Sequence, residues 1–215
     1  CQKFFALARR FACPYVRVNP SRLPPTEARE RHWTTDAQWL ARAADLAKEH
    51  GTGVFLEMHH GTICDTRDHA LRLLGLIGRD NVGLVFDPFN LYQVPTDYGI
   101  DTIRALAGSI INVHVKDLVA LQDNSYPYAF EYEAFVSHAG RFIPVQPQQG
   151  PRSKRYFANR LMNQGALDWY HVVSALKSVG YMGYLTVEAT SGRDPNMLDG
   201  RELAVHSHQE VVRLL

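Results

Sequence analysis

The sequence predicts an α/β fold built on a parallel sheet, and three observations carry that expectation. Residues 15–18, 53–57, 82–87, 110–115 and 184–188 are short apolar runs, and each is followed downstream by a helix-like pattern. The runs are nearly continuous in their apolar character rather than alternating, as strands buried on both faces are. No G-x-G-x-x-G turn follows any of them, which removes the dinucleotide-binding variant. The architectures that remain are an open doubly wound sheet and a β/α barrel.

The elements follow in order. The chain starts inside an amphipathic helix with Phe4, Phe5, Leu7, Ala8 and Phe11 on its apolar side. After the strand at 15–18 and a Pro-rich stretch comes a helix carrying Trp39, Leu40, Ala43, Ala44, Leu46 and Ala47. Thr35 or Asp36 is its expected cap, and Gly51 its stop. The strand at 53–57 leads to a helix from Thr66 to Gly78, with Ala70, Leu71, Leu74 and Ile77 on one face. Ile100, Ile103, Leu106 and Ala107 mark the helix after the strand at 82–87. A helix over 168–179 precedes the strand at 184–188, and a terminal helix runs through Leu203 to Leu215.

Composition narrows the function classes. The 215 residues suffice for one domain, 1–215, with a full core. Hydrophobic residues at 46% and charged residues at 21% are ordinary for a globular protein. A net charge of +1 gives nucleic acid and anionic membranes no electrostatic reason to bind. No apolar run approaches the roughly 20 residues of a membrane span, and the first residues lack the apolar core of a signal peptide. Cys1, Cys13 and Cys64 have no metal-site spacing and read as reduced thiols, so a cytoplasmic location is expected.

The ionisable residues carry the chemistry. Glu57, Asp87, His114 and Glu188 each fall at or near the C-terminal end of a different strand. In a β/α barrel that rim is where active sites are assembled. An exposed strand end explains any one of the four equally well, but explains four equivalent placements poorly. Their mixed oxygen and nitrogen donors suit one divalent cation, Mn²⁺ first, with Mg²⁺, Co²⁺ and Zn²⁺ also compatible. His59 shares the face of Glu57 if that strand continues, and either binds a substrate hydroxyl or packs at the barrel mouth. Lys116 stands in the same relation to His114, to meet a developing oxyanion or to pair with a carboxylate. Asp117 is expected to orient a neighbour or cap a turn. Arg17 either lines the pocket or sits at a solvent edge.

These motifs resemble a known family. FLEMH (55–59), NVGLVFDPFN (81–90), NVHVKD (112–117), GALD (165–168) and GYMGYLTVE (180–188) are similar, in order and spacing, to the sugar phosphate isomerase/epimerase family with the xylose isomerase-like TIM barrel. The resemblance covers about residues 50–190 and implies a TIM (β/α)8-type barrel. It implies that Glu57, Asp87, His114 and Glu188 are the metal ligands and that Glu57 and Glu188 are the proton-transfer pair. The implied activity is divalent-metal-dependent isomerisation or epimerisation of a small sugar, sugar phosphate or polyol. In that chemistry a metal polarises the carbonyl and stabilises an enediolate while carboxylates act as base and acid. Two positions depart from the family pattern. Asn90 replaces a histidine common in its epimerases and is assigned here to substrate binding, and Ala120 replaces an arginine.

A full barrel takes about 250 residues and eight strands, whereas five are counted here. The barrel is therefore expected to be N-terminally incomplete, with about five β/α units, either as a fragment or as an open barrel. Segment 118–165 is long for a connection and is expected to be an active-site loop insertion. Its Tyr126, Tyr128, Phe130, Tyr132 and Phe135 either wall a sugar pocket, form a subunit contact or pack on the barrel. Arg152, Lys154 and Arg155 are expected in a solvated basic loop, with a substrate phosphate as the alternative. Competing functions are a metal-dependent dehydratase of a keto-polyol, which shares the first proton removal, and an inactive truncated barrel. An endonuclease IV-like nuclease needs more histidines than the later strands supply. Homo-oligomerisation is compatible with the sequence.

Overall fold

The computed structural model describes residues 2–94, 96–131, 135–138, 141–144, 155–188, 194 and 197–215. In chain order the elements are α1 (Gln2–Arg10), β1 (Tyr15–Arg17), α2 (Glu30–Glu49), β2 (Gly53–Glu57), α3 (Arg67–Ile77), β3 (Val82–Phe86), α4 (Pro88–Gln93), α5 (Ile100–Leu106) and β4 (Ile110–Val115). There follow β5 (Asp117–Leu121), β6 (Phe130–Glu131), β7 (Phe135–His138), β8 (Arg141–Pro144), β9 (Tyr156–Arg160), α6 (Trp169–Ser178), β10 (Tyr184–Val187) and α7 (Gly200–Leu214).

Five strands form one sheet in the order β1-β2-β3-β4-β10, and every pairing is parallel. This is the half-barrel that the apolar runs predict. Side chains alternate across a strand, so each strand offers one row to each face. Leu56 and Met58, Leu84 and Phe86, and Val113 and Val115 form the row facing the helices. They pack with Leu40, Leu73, Ile77, Ile103 and Leu106 in the main core. The other row ends in Glu57, Asp87, His114 and Glu188. Because Leu73 is completely buried, Leu73→Ala is expected to cost about 2–5 kcal/mol of stability. A urea titration that finds less than about 1 kcal/mol would contradict this packing.

Helix ends are set locally where a cap exists. The Thr66 side chain accepts from the His69 N–H at the start of α3, and Gly78 closes that helix with φ 59°. The start of α2 differs from the sequence expectation. It begins at Glu30 rather than near Thr35 or Asp36, because the Arg29 N–H finds the His32 imidazole at 3.0 Å. The Asp36 carboxylate instead accepts from the Ser21 N–H at 2.9 Å and holds the loop after β1. Several expected core positions also face solvent: Trp39 on α2, Leu71 on α3, Phe4 and Leu7 on α1, and Phe11 just after it. On α1 the buried stripe is only Phe5 and Ala8, and on α3 it is Ala70, Leu73 and Ile77.

After β4 the chain leaves the barrel pattern. β5 follows one residue later and pairs antiparallel with β9, which also pairs with β6. Asp117 holds both ends of this excursion. Its carboxylate accepts from the N–H groups of Leu118 (2.8 Å), Gly165 (3.0 Å) and Leu167 (3.3 Å). Burial nevertheless pushes its carboxyl up to about 6. A side chain at Gly165 would place a Cβ 2.0 Å from Asp117 Oδ1, so this close approach requires glycine.

Arg155 does not sit in a solvated basic loop. Its guanidinium donates to the carbonyls of Gln93 (2.5 Å) and Tyr92 (3.4 Å) and lies over the Phe157 ring. Two main-chain acceptors and an aromatic face hold it against the end of α4. Tyr126 packs edge-on against Tyr128 and donates to Asp194 at 2.5 Å, which joins the excursion to the segment after β10. Tyr132, Arg152 and Lys154, and the side chains of Phe130 and Phe135, lie outside the described residues.

Candidate metal centre

Four parallel strands deliver one donor each. Glu57 closes β2, Asp87 follows β3, His114 lies near the end of β4 and Glu188 follows β10. The strand order β2-β3-β4-β10 places the two glutamates on either side of the Asp87–His114 pair. One donor atom from each residue lies within 4.8 Å of the others, and Glu57, Asp87 and His114 are buried. Among the described residues this is the one such group. Asp87 also caps α4, accepting from the Asn90 N–H at 3.0 Å through Oδ1, which leaves Oδ2 facing the cluster.

His114 shows what the cluster is suited to. Its Nδ1 is buried and has no hydrogen-bond partner of good geometry among the described residues. It faces Glu188 Oε2 at 3.2 Å, and Glu57 Oε1 and Asp87 Oδ2 at 3.4 Å. An imidazole nitrogen converging with three carboxylates on one point is a donor set that, once the imidazole gives up its proton, fits a divalent ion. Burial disfavours the charged imidazole, but Asp87, Glu188 and Glu57 outweigh it and push His114 up to about 11. His114 foremost, with help from Lys116, brings Glu188 down to about 2 despite its burial. Burial opposes ionisation of Glu57, yet His114, His59, Lys116 and Arg17 hold its carboxyl below the usual range.

The surrounding side chains divide into two groups. Arg17 donates to Glu57 Oε2 at 3.1 Å and lines the cleft together with Arg22, His59, Lys116 and Glu188. His59 lies beside the cluster with Nδ1 2.6 Å from the His60 carbonyl and its ring stacked on His60. Lys116 reaches Asp87 Oδ2 at 2.9 Å and Glu188 Oε2 at 2.5 Å. Asn90, on α4, lies behind the two carboxylates of Asp87 and Glu57. It is 1% exposed, and its Nδ2 donates to Asp87 Oδ2 (2.7 Å), the Met58 carbonyl (3.2 Å) and Glu57 Oε1 (3.4 Å). Its Oδ1 faces His60 Nδ1 at 3.2 Å. Asn90 thus orients two carboxylates from behind, a role with no signature in a single sequence. Asn90→Ala is expected to weaken divalent-ion affinity about 10–100-fold with the fold retained, read by titration calorimetry. Affinity equal to that of the unchanged protein would refute this role.

Arg22 and His60 were not singled out by the sequence. Arg22 lies in the loop after β1, where no periodicity indicates direction. His60 directly follows His59, and only the turn after β2 brings its ring against Asn90.

Comparison with known proteins places this geometry in a family. The family profile described as xylose isomerase-like TIM barrel matches residues 2–211, nearly the whole chain. The chain belongs to the xylose isomerase-like TIM-barrel family. Within the family it is similar to an inosose isomerase of Bacillus velezensis, with 26% identity over 72% of this chain and 45% of that protein. It is similar to an inosose dehydratase of Clostridium perfringens at 25% identity over 85% of this chain and 54% of that protein. The chain thus spans about half the length of the curated relatives it matches. Among solved structures, L-ribulose 3-epimerase superposes with a TM-score of 0.68 at 20% identity, covering 100% of this chain and 65% of that one. The IOLI protein with a bound zinc atom gives the same score and identity, over 99% of this chain and 66% of that one. These likenesses show the fold of this xylose isomerase-like barrel, in which the five strands form a parallel half-barrel. No helix among the described residues is long and apolar enough to cross a membrane.

Proposed function

We propose that this chain carries the metal and proton-transfer centre of a divalent-metal-dependent isomerase or epimerase acting on a small sugar or polyol. The observation that carries the reading is the convergence of three carboxylates on the otherwise unpartnered His114 Nδ1 at the C-terminal rim of the sheet. Glu57, Asp87, His114 and Glu188 would hold one ion, Mn²⁺ favoured by the three oxygen donors and one imidazole. Such an ion supplies carbonyl polarisation and stabilises negative charge next to it.

The protein's own residues divide the remaining work. Glu57 and Glu188 are held ionised, so either can accept the proton beside the carbonyl, and the other would return one to carbon after taking it up from solvent. Asn90 fixes Asp87 and Glu57, and Arg17 fixes the second oxygen of Glu57. His59 stands at the cleft to accept a hydroxyl contact. The excursion 118–165 serves this site as a loop insertion held shut at its base by Asp117.

A dehydratase reading stays alongside, because the inosose dehydratase relative matches as well as the isomerase does. Incubation of the Mn²⁺-loaded protein with ketohexoses and keto-cyclitols in D₂O tests both. The isomerase reading expects deuterium beside the carbonyl without loss of a hydroxyl group, followed by NMR. Loss of water with deuterium incorporation moves the assignment to the dehydratase. No exchange with any such substrate, on protein shown to hold the ion, would overturn the proposal.

A further inference from the structure

Lys116 follows His114 by two residues, on the same side of the chain. Its side chain is 13% exposed, and the ammonium lies 4.8 Å above the Phe89 ring centre. It contacts Asp87 Oδ2 and Glu188 Oε2 at 2.9 and 2.5 Å. These are the same two oxygens that His114 Nδ1 faces at 3.4 and 3.2 Å. The ammonium and the donor centre therefore share their anionic partners.

This overlap has an electrostatic consequence. Three carboxylates gathered in a largely buried patch repel one another unless a cation lies between them. A divalent ion bound to these oxygens would sit about 2.0–2.2 Å from them, and so within about 5 Å of the ammonium as placed. Like charges that close, with little water between them, oppose each other strongly. The long lysine stem gives the ammonium another position, because Lys116 also lines the open cleft.

We propose that Lys116 is a tethered counter-ion that competes with the divalent ion for Asp87 and Glu188. It holds the carboxylates together in the ion-free chain and turns toward the cleft when an ion binds. The inference rests on the metal-centre reading. It adds that ion binding delivers a positive charge into the cleft that a substrate would enter. Occupancy of the centre and readiness to receive negative charge are thereby coupled through one side chain.

The test titrates Mn²⁺ into the chain and into Lys116→Met, Lys116→Gln and Lys116→Arg, and measures melting with and without the ion. Both neutral variants are expected to bind Mn²⁺ about tenfold or more tightly and to melt at lower temperature when ion-free. Lys116→Arg, which keeps the charge, is expected to retain the original weaker affinity. Unchanged or weaker affinity in both neutral variants would overturn the inference while leaving the metal centre standing. Failure of the chain and all variants to bind any ion would overturn both.

Discussion

Glu188→Gln is expected to lower turnover of a keto-sugar or keto-cyclitol by about 10²–10⁴-fold, and Glu57→Gln by a similar factor. Glutamine keeps the shape and one ligating oxygen but cannot carry a proton away from carbon. On the proposed function each glutamate acts on the proton in flight, so the loss is expected in kcat rather than in KM. Solvent deuterium should stop entering the substrate in both variants, and the double variant should be barely slower than either single one. Turnover within a few-fold of the original in either variant would remove that glutamate from the proton-transfer pair. A separate signature accompanies the change. Glu188 titrates near 2 in the folded chain, held there by His114 first and then Lys116, against an ordinary value of 4.5. Its contribution to ion-free stability is thus present above pH 4.5 and lost as pH falls toward 2. Glu188→Gln should flatten that acid limb, as pH-dependent denaturation measures.

His114→Ala is expected to reduce divalent-ion affinity by more than about 100-fold, since it removes the only nitrogen donor in the set. The unchanged protein should show a matching pH dependence. In the ion-free chain the carboxylates around His114 push it up to about 11, so it is protonated at neutral pH. A coordinating nitrogen must shed that proton, so binding releases one proton and affinity rises about tenfold per pH unit around neutrality. Titration calorimetry in buffers of different ionisation heat counts the proton directly. Zero protons released at pH 7 would show that His114 is already neutral or is not a ligand. For the ion-free chain the linkage runs the other way. A folded-state value raised above the ordinary 6.5 stabilises fully below pH 6.5, and this stabilisation is lost as pH rises through about 11.

The strands and the convergence of four ionisable side chains were legible because one physical pattern sets both. A strand buried on its helix side tolerates an ionisable residue only where it ends, so Glu57, Asp87, His114 and Glu188 mark the rim by interrupting apolar runs. The ends of α3 were legible through Thr66 and Gly78, whose roles depend on neighbours a few residues away. What escaped the sequence depends on distant contacts. The contacts of Asn90 are of this kind, because α4 turns its side chain inward onto Glu57 and the Met58 carbonyl. Arg155 resembled loop charge until the end of α4 supplied two carbonyls. Leu71 and Leu73 are both plausible on an amphipathic helix, and only the neighbouring helices decide that Leu73 faces in. The antiparallel pairing of β5 with β9 spans a long separation in sequence, with Asp117 as its anchor.

The central claim is that Glu57, Asp87, His114 and Glu188 hold one divalent ion. Elemental mass spectrometry of the chain, purified without chelator and dialysed after Mn²⁺ loading, tests it most directly. The expected result is about one ion per chain, lost in His114→Ala and in Asp87→Ala while both variants stay folded by circular dichroism. A folded chain that holds no ion after loading, or one whose ion content is unchanged by these substitutions, would contradict the account.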